Sequence, residues 1–212
     1  EKTIWQGVNG AIWALIALDS KNYDIPINPD GKIQATREMY INHILENQTS
    51  DGGWALSGDV ADPDVTGMAL QALSKYQDND KVKSATEKAL NCLSKMQKEN
   101  GGFSSYETEN SESCVQVLVA LCELGISIDD ARFVKNGKSV LDNLFTFYDN
   151  GKGFKHIHED STNLMATEQC FYALVALKRA NEGRNTLYDM SDAKHINVSS
   201  DAVGLAGKNA DV

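Results

Sequence analysis

Positive charge is scarce in this chain: 20 Lys and Arg stand against 30 Asp and Glu, for a formal net charge of −10. Such a balance repels phosphate backbones and anionic headgroups unless a local basic cluster overrides it. The lysines here are scattered among acids, so nucleic acid is excluded as an expected partner. No apolar run approaches the roughly 20 residues that cross a bilayer, and no membrane span is expected. The opening EKTIWQGVNG carries neither an initiator Met nor a signal-peptide pattern, which fits a segment of a longer protein. The four cysteines (Cys92, Cys114, Cys122 and Cys170) lack CxxC spacing and sit in apolar helical stretches. They read as buried thiols rather than as disulfides or metal ligands, which leaves the redox compartment open. Strand alternation is missing as well. So are GxSxG, P-loop, GxGxxG and HExxH signatures. No cofactor is implied.

What the chain does have is helical periodicity. Its 212 residues, 42% hydrophobic, suit one globular domain. The apolar spacing predicts helices over 4–19, 31–47, 63–77, 81–98, 111–125, 131–148 and 161–180, each bounded by Gly, Pro, Asn, Asp or Ser. The fold class is all-α. Alternate helices share a ten-residue phrase: NGAIWALIAL from Asn9, DVTGMALQAL from Asp64, ESCVQVLVAL from Glu112 and EQCFYALVAL from Glu168. Each opens on a polar residue and continues almost wholly apolar, so these helices should be buried nearly all round. The helices between them, such as KIQATREMYINHILEN and TEKALNCLSKMQKE, carry their apolar residues on one stripe and should form an outer layer. Self-similarity at a period of roughly 50 residues signals stacked helix pairs, none able to bury its apolar face alone. Residues 1–182 are read as this repeat domain. The stretch 183–212 loses the period and turns small and polar, as a tail or interdomain linker does.

The turns repeat too. QTSDGGW at 48–54 returns as QKENGGF at 97–103, and more loosely as FYDNGKGF at 147–154, where Phe147 stands in place of the glutamine. Glycine after a helix takes the left-handed conformation that a side chain disfavours. The aromatic residue that follows can then fold back over the helix pair just left. Q-x3-G-x-W/F followed by an acid-led, AL-rich helix resembles the QW repeat of the prenyltransferase and squalene-hopene cyclase superfamily: Gln48, Gly52 and Trp54 match, as do Gln97, Gly101 and Phe103. The resemblance implies an α/α toroid. With about seven helices against the family's six pairs, it implies a partial or shortened ring, whose ends missing repeats or self-association would have to cover.

The resemblance also supplies chemistry to test. Class II cyclases protonate an alkene with the middle Asp of D-x-D-D-T. Asp62, Asp64 and Thr66 of DPDVTG match that motif, but Val65 replaces its last acid. Losing a carboxylate weakens the acid, and 8% aromatics equip a carbocation cavity poorly. Asp64 alone reads as a helix-start acid worth about 0.3–1 kcal/mol, with Glu112 and Glu168 at the same phrase position. Asp62–Pro63 fits a helix start. Prenyltransferase-like zinc would draw on His156 and His158 of HIHED with Cys114 or Cys170. Both cysteines, however, fall two residues after the phrase's acid, where Thr66 sits, and read as packing residues. The GCGEQ thioester motif of complement-like toroids is absent. What the resemblance implies is a degenerate, non-catalytic binding or structural module of a larger, exported, extracellular or cell-surface bacterial protein. The alternative is an enzyme: a cyclase or prenyltransferase relative, or a carbohydrate-active toroid using two carboxylates from Asp62, Asp64, Glu107, Glu109 and Glu112. A site for an unidentified ligand or protein partner is expected where the inner helices start, lined by Trp54, Asp62, Asp64, Tyr106, Glu112, His158 and Glu168.

Overall fold

The computed structural model describes residues 2–193. Seven α-helices lie among them: α1 (Val8–Asp19), α2 (Arg37–Glu46), α3 (Pro63–Leu73), α4 (Asp80–Met96), α5 (Ser111–Glu123), α6 (Val140–Leu144) and α7 (Leu164–Asn181). The protein is all-α in class. Helices α1, α3, α5 and α7 pack side by side in that order, and α2, α4 and α6 each back onto the inner helix that precedes them. Alternate helices thus form two layers, as the repeated phrase requires. Every residue of α5 is buried. In α4 the buried set is Val82, Ala85, Thr86, Ala89, Leu90, Cys92 and Leu93, while Lys81, Lys83, Glu87, Lys88 and Asn91 face solvent. One helix is sealed between neighbours; the other has a wet face.

The three turns show why glutamine, glycine and an aromatic ring recur. The Gln48 amide donates to the Gly52 carbonyl at 2.8 Å and to Ala85 of α4 at 2.9 Å. Gln97 does the same with Gly101 at 3.0 Å and Phe133 at 2.9 Å. Each amide therefore closes its own turn and ties it to the next outer element. Trp54 is fully buried, its indole N–H donating to the Ile44 carbonyl of α2 at 2.6 Å, so the ring does fold back on the helix just left. Gly101 has φ +86, and a Cβ there would sit 2.3 Å from the Ser139 carbonyl oxygen, so no other residue fits.

Two expectations change. Residues 131–148 are not one helix. A 3₁₀ turn (Ala131–Phe133) leads into a hairpin of β3 (Val134–Lys135) and β4 (Lys138–Ser139), then α6, then a second 3₁₀ turn (Phe145–Phe147). Asn136 and Gly137 take φ 48 and 73, the left-handed pair a two-residue hairpin turn demands. Of two more short hairpins, β1 (Ser104–Ser105) with β2 (Thr108–Glu109) follows the second glycine turn, and β5 (Tyr148–Asp149) with β6 (Gly153–Phe154) encloses the third.

The packed body also runs past residue 182. After Gly183 the chain crosses beneath the C-terminal ends of the inner helices: Tyr188 N–H donates to Glu123 of α5, and the Met190 N–H donates to the Ser20 carbonyl after α1 at 2.8 Å. The Tyr188 ring meets Trp13 of α1 edge-on at 6.1 Å. This strap joins the last inner helix to the first and covers their lower ends. The rest of the expected tail, 194–212, lies outside the described residues.

Candidate functional site

The upper ends of α3, α5 and α7 are built alike, whereas α1 starts after Gly7, two residues before Asn9, with no side-chain cap. Asp62, Asn110 and Asn163 each precede an inner helix, and their side chains accept the free N–H groups of its first turn: Asp64 and Val65 at 3.0 and 3.1 Å, Ser113 at 2.8 Å, Ala166 at 2.8 Å. Such caps satisfy donors that the helix leaves orphaned. Four residues after the cap come Thr66, Cys114 and Thr167. The hydroxyls of Thr66 and Thr167 each accept the N–H of the turn aromatic, Trp54 and Phe154 respectively, at 2.9 Å. Two residues after the cap come Asp64, Glu112 and Met165. The phrase alignment is therefore in register for three helices and slips by three residues in the fourth. Met165, not Glu168, occupies the acid's place, and Thr167, not Cys170, that of Thr66.

A cleft of about 460 Å³ opens at this end, lined by residues of α3, α5, α7 and the β1–β2 hairpin, with His156 beside them. Asp64, Tyr106 and Glu112 line it, as the sequence suggests. Four other expected residues do not. Trp54 is core; Asp62 spends one carboxylate oxygen on the cap and takes the Ser105 hydroxyl on the other. His158 stacks flat on Phe147 at 4.1 Å, and Glu168 points to solvent.

Around the carboxylates the polar groups form a short network. His156 Nδ1 lies 2.8 Å from Glu112 Oε2, so His156 rather than His158 reaches the site. The Gln71 amide donates to Gln116 of α5, and Gln116 in turn donates to Tyr172 of α7 at 2.8 Å. This amide chain crosses three inner helices. Its sequence signal was a glutamine inside an otherwise apolar phrase, at Gln71, Gln116 and Gln169. Met68, Ser105, Thr108, Asn110 and Met165 complete the lining and carry no such signal.

Four buried polar atoms here lack a partner, Gln71 Oε1 and the Ser113 hydroxyl among them. Asp64 Oδ1 and Glu112 Oε1 are buried without a hydrogen-bond partner, a state that costs about 1–3 kcal/mol per group. Burial pushes the Asp64 carboxyl up to about 6; the like charges of Asp62 and Glu112 add to this, while the Ser113 hydroxyl and His156 pull the other way. The cysteines take no part: all four are free and buried, and burial raises Cys114 and Cys170 to about 12. Among the described residues no three His, Cys, Asp or Glu side chains converge as a metal set, and His156 and His158 point to different neighbours.

Residues 46–169, from the end of α2 into α7, match the family of the squalene-hopene cyclase C-terminal domain. No curated protein matches the chain. No helix among the described residues is long and apolar enough to cross a membrane.

Proposed function

The chain belongs to the squalene-hopene cyclase C-terminal domain family, and from that premise we propose that it is a non-catalytic binding module of a larger, exported bacterial surface protein, taking a ligand in the cleft where α3 and α5 begin. The observation that carries this reading is the pair of buried acceptors, Asp64 Oδ1 and Glu112 Oε1, left without partners on an open cleft. A buried polar atom left unpaired within the chain calls for a partner from outside it, such as water, an ion or a ligand. Cyclisation is disfavoured by two features. The acid cluster ends in Val65, which is buried and apolar. Among the cleft residues the one aromatic side chain is Tyr106, 84% exposed, whereas carbocations need an aromatic enclosure.

Incubation with linear polyprenyl substrates should give no cyclised product by gas chromatography. A ligand that shifts the amide resonances of residues 105–116 should lose its effect in Glu112→Gln. Turnover abolished by Asp64→Asn without a lowered Tm would overturn the non-catalytic reading. Export is tested separately: protease treatment of intact cells should release peptides of this chain, and confinement to the cytosolic fraction removes that part.

One observation favours a second reading, an enzyme. A carboxyl group lifted to about 6 beside a cleft, with one oxygen free, is equipped to act as a general acid. In that reading Asp64 donates the proton and Glu112 supports it.

A further inference from the structure

We propose that the group this cleft binds is a primary ammonium carried on an aliphatic stem; the proposal rests on the binding reading above and names its ligand class. Glu112 has a side chain only 9% exposed and lines the cleft with Oε1 unpartnered, and Asp64 adds a second free carboxylate oxygen. Several of the donors nearby are already used. The Ser105 hydroxyl serves Asp62, the Asn110 amide serves the Thr108 carbonyl, and the Gln116 amide serves Tyr172 and Gln169. The Gln169 amide nitrogen and the Thr108 and Tyr106 hydroxyls remain for neutral acceptors, but the two buried carboxylate oxygens can only accept, and a group that brings several N–H donors matches them.

Charge selects among donors. No Lys or Arg lines the cleft, the nearby Lys155 ammonium is directed to the His158 carbonyl, and the chain as a whole carries −10. A cation is drawn in by that field, and its bonds to carboxylates are about twice as strong as neutral ones. The remaining walls suit an aliphatic stem: the thioethers of Met68 and Met165, and the Tyr106 ring, whose face attracts cations. Tyr106 and Glu107 hold φ 47 and 66 in the β1–β2 turn, a conformation that side chains ordinarily avoid. That turn keeps the ring at the cleft mouth.

The test is a titration followed by amide resonances, using 1,5-diaminopentane, its uncharged isostere 1,5-pentanediol, glucose, and Nα-acetyl-lysine methylamide. The diamine should produce saturable shifts at Ser105, Tyr106, Glu112 and Gln116, with the diol at least about 10-fold weaker. Glu112→Gln should weaken the diamine about 10-fold and leave the diol unchanged; should that variant fail to fold, Asp64→Asn decides in its place. Tighter binding of the lysine derivative than of the diamine assigns the ammonium to a peptide side chain rather than a free amine. If the diol or glucose shifts the cleft and the amines do not, the ammonium is wrong and the binding cleft stands. If none of the probes shifts these residues, the binding reading falls with it.

Discussion

Helices α5 and α7 close on almost the same words, VLVAL at 117–121 and ALVAL at 173–177, yet they live in different surroundings. All five residues in α5 are fully buried. In α7 only Ala173 and Ala176 are, while Val175 is exposed and Phe171 just before it is 63% exposed. The difference is position. Helix α5 lies between α3 and α7 with α6 behind it, whereas α7 packs chiefly on α5 and the β5–β6 hairpin. The turns feeding the two helices differ in the same sense. Gln97 reaches forward to Phe133, next to the following outer element; Phe147, at the matching place before α7, is buried and stacked on His158. A repeat thus writes each unit as though it had neighbours on both sides, and the last unit leaves the apolar side chains for that second neighbour in view.

The largest effect should separate the two helices directly. Leu118→Ala in α5 removes a fully buried side chain with nowhere to collapse and should cost about 2–5 kcal/mol by urea denaturation. Phe171→Ala, on the open face of α7, should stay within about 0.5 kcal/mol. A loss at Phe171 as large as that at Leu118 would mean that something covers α7. The turns extend the contrast. Gly101→Ala combines a left-handed φ with collision against Ser139 and should cost about 2–3 kcal/mol. Gly151→Ala has a similar φ, 76, but open space around it, and about 1 kcal/mol is expected. Equal losses would show that the backbone angle alone decides, and that the closeness of the second turn to β4 is irrelevant.

The two layers were legible because burial on one side or on both writes itself into helical spacing. What the sequence hid had specific causes. Apolar residues Phe133, Val134, Val140, Leu141 and Leu144 fall at intervals a helix could use, which masked the Asn136–Gly137 hairpin signal between them. At the cleft, the carboxylates could be read because they open a phrase. Trp54 misled because an aromatic in a motif suggests a lining residue, whereas its indole is buried on the carbonyl of Ile44. His158 misled because an extended segment sends residues two apart the same way, while the chain turns after Lys155 and parts it from His156. Glu168 misled because α7 begins almost one turn earlier than its AL-rich end implies, and only the cap at Asn163 reveals this.

Asp64 tests whether the cleft acid is a helix-start ornament or a group held at a cost. Its folded carboxyl sits near 6, above the ordinary value of 3.8, so the folded state holds the proton more tightly than the unfolded chain. Between those two values the folded form loses stability as pH rises, and the loss is complete above about 6. The groups facing it, Asp62, Glu112, His156 and Ser113, remain in an Asp64→Asn variant. The difference in stability between variant and wild type should therefore be near zero at pH 4 and grow to about 2 kcal/mol in favour of Asn at pH 7, allowing for partial exposure. A surface acid that merely favours the helix start would give the opposite sign, a loss of about 0.3–1 kcal/mol at pH 7. Thermal melts at a series of pH values distinguish the two.

Smallest in energy, and most pointed for the registration of the last repeat, is Met165→Glu. Counted from the caps, Met165 stands where α3 has Asp64 and α5 has Glu112, and it lines the same cleft at 58% exposure. An acid in the first turn of α7 should change stability by only about 0.3–1 kcal/mol, in its favour through the helix dipole. Its effect on binding should be larger in proportion: a third carboxylate facing the cleft should tighten 1,5-diaminopentane by about 3-fold, and salt should erase most of the gain. Glu168→Gln, on the solvent side of α7, should leave the affinity where it was. If instead Glu168→Gln weakens the amine and Met165→Glu does nothing, the phrase alignment was right and the cap alignment wrong, and the cleft extends along α7 one turn further than its lining shows.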